Sequence, residues 1–124
     1  MGGNSSVVLW RDIYQIAEKV CAHFNLRFGK ILPETRKQAR CYGETYSCER
    51  CTNNPNIDSR NCTEKILRIR LHQLSGKRKP LSSSTIIRTL AHELAHLREW
   101  DHGSAHKKFE NEILLYIRKM GYKI

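Results

Sequence analysis

Residues 83–106 read SSTIIRTLAHELAHLREWDHGSAH, and this stretch decides the fold. Apolar side chains recur in it at steps of three and four, which is the period of an amphipathic helix. We therefore predict a helix that a serine at 82–84 caps and that reaches about residue 99. Its apolar stripe comprises Ile86, Ile87, Leu90, Leu94 and Leu97. Because that stripe lies opposite His92 and His96, burial in the core does not explain these two histidines.

The two histidines belong to the sequence His92-Glu93-Leu94-Ala95-His96, which is the HExxH pattern. At about 3.6 residues per turn, both imidazoles stack on one helix face and can bind a single zinc ion. Glu93 lies about 100° round the helix, where it can take a proton from a water that the ion activates. The alternative interpretation is a charged surface helix whose histidines bind nothing.

We predict that the third protein ligand is His102, which follows His96 by six residues. Zinc sites that catalyse hydrolysis hold three protein ligands and keep one position open. A glutamate of the next helix, Glu110 or Glu112, is the alternative ligand. Asp101 is better suited to supporting a ligand imidazole from behind.

Two charged residues flank the histidine pair on the same helix face. Arg88 precedes His92 by four residues, and Glu99 follows His96 by three. Either side chain can reach the cleft, where it would stabilise the transition state or support a ligand. An exposed ion pair or simple solvation explains both residues at least as well.

The rest of the chain alternates helical and strand-like patterns. The predicted elements are, in chain order, a helix over residues 6–24, a strand over 26–31, a strand within 36–47, a loop over 49–63, a strand over 67–71, the HExxH helix and a helix over 104–120. This order predicts an α+β fold with an N-terminal helix, a small antiparallel or mixed sheet, the HExxH helix and a C-terminal helix. A length of 124 residues predicts one domain over 1–124.

Four of the five cysteines lie in the polar segment 41–62, which we expect to be an insert in this domain. Cys48 and Cys51 form a CxxC pair, and Cys41 and Cys62 flank it. One tight turn presents both thiolates of such a pair to a tetrahedral ion. A structural zinc and two disulfides are the alternatives. The N-terminus lacks the pattern of a secretion signal, so we expect an intracellular protein, cytoplasmic or, in a eukaryote, nuclear. These compartments are reducing, which favours zinc over disulfides.

The basic charge of the chain is concentrated in one segment. Lys and Arg number 22 against 12 Asp and Glu, which gives a net charge of +10, and residues 65–92 hold seven bases and no acid. Such a segment suits a polyanion such as DNA, and a solvated basic surface is the alternative. The candidate DNA contacts are Arg68, Arg70, Lys77, Arg78 and Lys79. No apolar run approaches the roughly 18 residues of a membrane-spanning helix, so we expect no membrane partner.

The stretch STIIRTLAHELAHLREWDHGSAHKKFENEI, residues 84–113, resembles the SprT-like, WLM and YgjP-like group of small zinc metallopeptidases. With the preceding strand IRIRL and the final helix, the resemblance covers roughly residues 65–120. It implies a minimal zincin-like domain in which His92, His96 and His102 bind zinc and Glu93 is the catalytic base. Spartan-type members of this group have been linked to proteolysis of proteins that are crosslinked to DNA.

The chain departs from this group four residues after the third ligand. Members often carry a phenylalanine there, and this chain carries His106. A buried substitute for the aromatic ring is one interpretation. The other is a polar group aimed at the carbonyl oxygen of the substrate.

We therefore expect a zinc-dependent metallopeptidase, a monomer that hydrolyses polypeptides with one catalytic zinc, with a second, structural zinc in the cysteine segment. Two alternatives stay open. One is a basic nucleic-acid-binding module with a purely structural zinc, which a closed site of four ligands would favour. The other is a zinc hydrolase of a small substrate, which a deep, narrow pocket would favour over an open groove.

Overall fold

The computed structural model of the chain describes residues 10–34, 42–56, 58–72 and 81–124. The sequence predictions for Cys41, Lys77, Arg78 and Lys79 lie outside these residues. The elements are α1 (Trp10–Phe24), β1 (Lys30–Pro33), β2 (Gly43–Tyr46), α2 (Glu49–Thr52), a 3-10 turn (Ser59–Asn61), β3 (Ile66–Ile69), α3 (Ser83–Ala95) and α4 (Ser104–Lys119). This mixture of helices with a small sheet confirms the predicted α+β class.

Helix α1 follows the predicted apolar period. Its buried residues are Ile13, Ile16, Ala17, Val20 and Cys21, which form one face against the core. The helix ends where Asn25 adopts φ 59, a left-handed conformation that asparagine tolerates better than most residues. The amide of Leu26 then donates to the carbonyl of Cys21 over 2.8 Å and closes the helix end.

The sheet has the order β1-β3-β2 and is mixed, because β1 runs parallel to β3 and β2 antiparallel to it. The first strand lies at 30–33, so the predicted strand over 26–31 was placed too early in the chain. Leu26 and Phe28 alternate like strand residues, yet they pack against the core from the segment that precedes the strand. At Gly29 an added Cβ would meet the Glu64 carbonyl oxygen at 2.6 Å, so this close approach requires glycine.

The prediction of a loop over 49–63 was wrong in part, because α2 and the 3-10 turn lie within it. Cys48 has extended backbone angles at the start of α2, and its carbonyl accepts from the Thr52 amide at 2.9 Å. The Asp58 carbonyl accepts from the Asn61 amide at the same distance. Such single turns carry no apolar period from which a sequence pattern could predict them.

Helix α3 begins as predicted, with the Ser82 side chain accepting from the Thr85 amide at 3.2 Å. It ends at Ala95, before the predicted end near residue 99. The next amides reach back only three residues, with Leu97 donating to Leu94 and Arg98 to Ala95. This tightened turn leads the chain towards His102.

The core lies where α1, α3, α4 and the sheet meet. Its fully buried side chains include Ile16, Leu67, Ile69, Leu90, Leu94 and Ile113. Helix α3 packs against all the other layers, and its contacts with α4 are the most extensive between helices. Among the described residues, no helix combines the length and apolar character needed to cross a bilayer.

Candidate active site

Three imidazole nitrogens converge at the end of α3. The Nε2 atom of His102 lies 3.1 Å from Nε2 of His92 and 3.2 Å from Nε2 of His96. The first two histidines lie one turn apart on the helix, and His102 approaches them from the α3–α4 connection. The structure therefore brings together the three residues that the sequence predicts as ligands.

The spacing of these nitrogens fits a tetrahedral zinc ion. Zn–N bonds of about 2.0–2.1 Å at tetrahedral angles separate the ligand nitrogens by about 3.3 Å. The two measured separations lie close to that value. These two distances therefore fit an ion that His102 shares with His92 and with His96.

Hydrogen bonds behind two of the imidazoles fix which of their ring nitrogens faces the other histidines. His96 Nδ1 lies 3.1 Å from the Glu99 carbonyl oxygen, and His92 Nδ1 lies 2.8 Å from Oε1 of Glu110. A carbonyl or a carboxylate only accepts, so each Nδ1 donates, and in a neutral imidazole that leaves the lone pair on Nε2. Burial also lowers the pKa of His96 to about 4, so it is neutral near pH 7.

Glu110 is therefore placed to support His92, which would be a metal ligand, rather than to bind an ion directly. Its carboxylate contacts the Nδ1 side of His92, remote from the convergence of the Nε2 atoms. Asp101, for which the sequence suggested the supporting role, forms an exposed ion pair with Arg60 at 3.1 Å. Glu112, the other alternative ligand, is exposed on α4.

His106 is the other histidine that could bind the ion, since one of its ring nitrogens lies within 4.8 Å of ligand atoms on His92 and His96. Its side chain is buried, and its Nε2 lies 3.0 Å from the His92 carbonyl oxygen, to which it donates. Its ring stacks on that of His96 with 4.1 Å between centroids. His102 stays the predicted third ligand, because its separations from His92 and His96 are those expected for nitrogens that share a tetrahedral ion.

The surroundings of His106 bear on its two interpretations. The ring is 3% exposed, and its Nε2 proton is used by the α3 backbone. His106 thus acts as a buried aromatic substitute that also ties α4 to α3. Burial of the ring and the use of its Nε2 proton by the backbone favour this interpretation over a polar group aimed at a substrate carbonyl.

Glu93 lies beside the imidazoles and is almost fully buried. The Thr45 hydroxyl donates to Oε1 of Glu93 over 2.6 Å. Burial raises the pKa of Glu93, and the hydrogen bond from Thr45 opposes that rise in part. The carboxylate is therefore a stronger base than an exposed glutamate would be.

Strand β2 approaches α3 closely at Gly43. A Cβ there would lie 2.6 Å from Cγ2 of Thr89 and 3.0 Å from Oε2 of Glu93. Glycine at this position is therefore what allows β2 to lie against the helix beside Glu93.

A cavity of about 550 Å³ opens over the imidazoles and Glu93. Its lining residues come from β2, α3 and the α3–α4 connection and are Gly43, Glu44, Thr45, His92, Glu93, His96, Trp100 and His102. A second cavity of about 540 Å³ shares His96, Trp100 and His102 with it. Together they form a cleft that runs along both sides of these shared residues.

Of the two charged residues that flank the histidine pair, Glu99 borders the cleft and Arg88 borders a neighbouring cavity. Arg88 is exposed and lines a shallower cavity together with His92 and Glu93. Glu99 lines the second cavity, and its contribution to the imidazoles is the backbone carbonyl that accepts from His96.

Three cysteines form a second cluster. The sulfur atoms of Cys48, Cys51 and Cys62 lie within 4.8 Å of one another, and Sγ of Cys48 lies 3.6 Å from Sγ of Cys62. Hydrogen bonding to the sulfurs of Cys62 and Cys48 raises the pKa of Cys51 to about 11. The described part of the chain thus contains two groups of side chains that can hold a metal ion, one of imidazoles and one of thiols.

The basic segment forms no continuous exposed face within the described residues. Lys65 and Arg70 are buried. Arg70, one of the candidate DNA contacts, is therefore shielded from solvent. Nε of Arg68 donates to the Tyr46 hydroxyl over 2.9 Å.

Comparisons with protein-family models, with curated proteins and with solved structures find no match for this chain. Its function is therefore inferred from the site itself.

Thr45, Gly43 and Trp100 belong to the site, and the sequence did not indicate them. Strand β2 is separated from α3 by more than 35 residues of sequence, so no local spacing connects them. The sequence holds one indication that Glu110 lies near the histidines. It follows His106 by four residues, so the two side chains share a helix face.

Proposed function

We propose that this chain is a zinc-dependent metallopeptidase of minimal zincin-like architecture. The observation that carries the proposal is the convergence of three Nε2 atoms, at 3.1 and 3.2 Å, beside a buried glutamate in one cleft. The resemblance of residues 65–120 to the SprT-like, WLM and YgjP-like metallopeptidases supports the same function.

The residues divide the chemistry between them. His92, His96 and His102 would hold the ion, which when bound supplies a Lewis acid for the scissile carbonyl and for the attacking water. Glu93 takes the proton of the water and passes it to the amine that leaves. The Thr45 hydroxyl occupies Oε1 of Glu93, so the other carboxylate oxygen is the one available for the proton.

The position of β2 favours a polypeptide as the substrate. This strand is an outer strand of the described sheet, and it forms one wall of the cleft. An outer strand offers backbone donors and acceptors to an extended chain laid alongside it. The cleft is open, with His102 exposed, whereas a small substrate would favour an enclosed pocket.

A purely structural zinc is the main rival. Structural sites have four protein ligands, and three imidazoles leave one position open. The buried carboxylate of Glu93 beside that position has a use in hydrolysis and none in a closed site. A link to nucleic acid rests on the net charge of +10 and on the resemblance to Spartan-type proteins.

The test is hydrolysis of an unfolded polypeptide, such as casein, by the protein loaded with zinc. We expect new amino termini to appear, a chelator to stop their appearance and added zinc to restore it. His96→Ala, which removes a ligand, should show no restoration. A protein that holds zinc at the imidazoles yet releases no peptides from unfolded substrates would contradict the proposal.

A further inference from the structure

We propose that Cys48, Cys51 and Cys62 bind a second zinc ion, which fastens the β2–β3 connection beside the cleft. This inference concerns a different set of ligands from the imidazole site. It does not depend on whether the protein is a peptidase.

The sulfur geometry is that of a zinc–thiolate site. Zn–S bonds of about 2.3 Å at tetrahedral angles separate the sulfurs by about 3.8 Å. Sγ of Cys48 and Sγ of Cys62 are 3.6 Å apart, which fits a shared ion, whereas a disulfide bond is only about 2.05 Å long. The Cys48 amide also donates to Sγ of Cys62 over 3.4 Å, an interaction that stabilises a thiolate.

The described residues of the β2–β3 connection, 47–56 and 58–65, bury few apolar side chains. Among its described residues the buried ones are Ser47, Cys51, Cys62 and Lys65, and only the two cysteines count as hydrophobic. Short segments without an apolar core commonly depend on a metal ion or on disulfides for their structure. Three clustered sulfurs that share an ion would fix this connection.

The buried ammonium group of Lys65 balances the charge of the proposed thiolate site. Lys65 is 4% exposed, and its Nζ donates to the Cys62 carbonyl at 2.6 Å and to the Arg60 carbonyl at 3.0 Å. It also interacts electrostatically with the sulfurs of Cys51 and Cys62. Three thiolates and a divalent ion leave one net negative charge, which this ammonium offsets. A buried lysine without such a partner would be costly.

The same groups connect the thiol cluster to the cleft. Nζ of Lys65 lies 5.5 Å from the ring centre of Trp100, which lines both cavities. On the other side, Cys48 follows Thr45 by three residues, and Thr45 holds the catalytic glutamate. An ion at the thiols would therefore hold both β2 and the support of Trp100 in place.

The experiment counts zinc in purified variants by mass spectrometry of the metal. The wild type should carry one ion at each site, Cys51→Ser and Cys62→Ser should each lose one, and His96→Ala should lose the other. Cys21→Ser is the matched control, because Cys21 is buried in α1 outside the cluster and should keep both. A cysteine variant with unchanged zinc content would overturn the proposal.

Two measurements keep the test decisive where a serine variant fails to fold. Cobalt bound to His96→Ala should give thiolate-to-metal charge-transfer absorption, because the thiols are then the remaining site. Alkylation of the same variant should modify Cys48, Cys51 and Cys62 only after chelation. Two results would overturn the proposal. One is thiols that react equally fast without chelation. The other is a protein mass lowered by the two hydrogens that are lost when a disulfide forms.

Hydrogen exchange tests the fastening role. Removing the thiol-bound ion from His96→Ala should speed amide exchange in residues 43–65 and leave α1 unchanged. Equal exchange in 43–65 before and after removal would contradict a role for the ion in fixing this connection.

Discussion

At the scale of single residues, the candidate site depends on which ring nitrogen of each histidine is left without a hydrogen-bond partner from the surrounding protein. The Glu99 carbonyl and the Glu110 carboxylate accept from the Nδ1 atoms of His96 and His92, so both Nε2 atoms face the position that a metal would occupy. His106 has the opposite arrangement, since its Nε2 donates to the backbone of α3. The hydrogen bonds thus separate ligands from supporting residues before any ion binds.

This separation predicts different results for two alanine substitutions. His102→Ala should lower zinc affinity by well over 100-fold, because it leaves two protein ligands. His106→Ala should mainly lower stability, by about 2 kcal/mol, since it opens a cavity between α3 and α4. Zinc titration and thermal unfolding of both variants measure the difference. If His106→Ala strips the metal and His102→Ala keeps it, the assignment of the third ligand is wrong.

Glu110 should behave as a supporting residue. Glu110→Ala removes the acceptor for His92 Nδ1, so we expect zinc affinity to fall by about 10- to 100-fold. Glu112→Ala is the matched control on the same helix, where the carboxylate is exposed, and its affinity should equal that of the wild type. Competition with a chelating dye measures both. A complete loss of zinc in Glu110→Ala would instead indicate a direct ligand.

At the scale of elements, the site requires β2 to lie directly against α3. Thr45 reaches Glu93 only because Gly43 lets the strand approach the helix. Gly43→Ala should therefore push the strand away, lowering stability by about 1–3 kcal/mol and slowing peptide hydrolysis.

A double substitution checks the cause of that loss. Thr89→Ser removes the methyl group that would lie 2.6 Å from the new Cβ, and it keeps the hydroxyl that donates to Thr85. In the Gly43→Ala background it should recover part of the stability measured by denaturant unfolding. A purely additive effect of the two substitutions would contradict a clash at this contact.

The sequence could predict those elements whose pattern is local. Helix α3, its serine cap and the positions of His92 and His96 follow from a period of three to four residues. The start of β1 could not be located, because Leu26 and Phe28 alternate like strand residues but pack from the preceding segment. The contact of Thr45 with Glu93 joins residues 48 apart, and no local pattern carries that information.

At the scale of the whole molecule, the net charge of +10 is the remaining unexplained feature. Burial of Lys65 and Arg70 shows that a run of basic residues in sequence is not equivalent to a basic face. The distinction needs the fold, because a buried base and an exposed one look alike in the sequence.

DNA binding is the prediction at this scale. We expect weak binding without sequence preference, to which Lys77, Arg78 and Lys79 contribute. The slope of log affinity against log salt concentration measures the number of phosphate contacts. Neutralising all three residues should reduce this slope by about three units at most, because each lost phosphate contact reduces it by about one unit. Fluorescence anisotropy with labelled single- and double-stranded DNA measures this at several salt concentrations. No binding at low salt would remove the nucleic-acid part of the account and leave the peptidase part standing.

The most direct test of the central claim is peptide hydrolysis by Glu93→Gln. The amide keeps the shape of the side chain and the hydrogen bond from Thr45 but cannot take a proton from water. We predict that the variant folds, retains zinc at the imidazoles and loses at least about 100-fold in kcat, while Glu112→Gln is unaffected. Unchanged turnover in Glu93→Gln, with zinc still bound, would contradict the account.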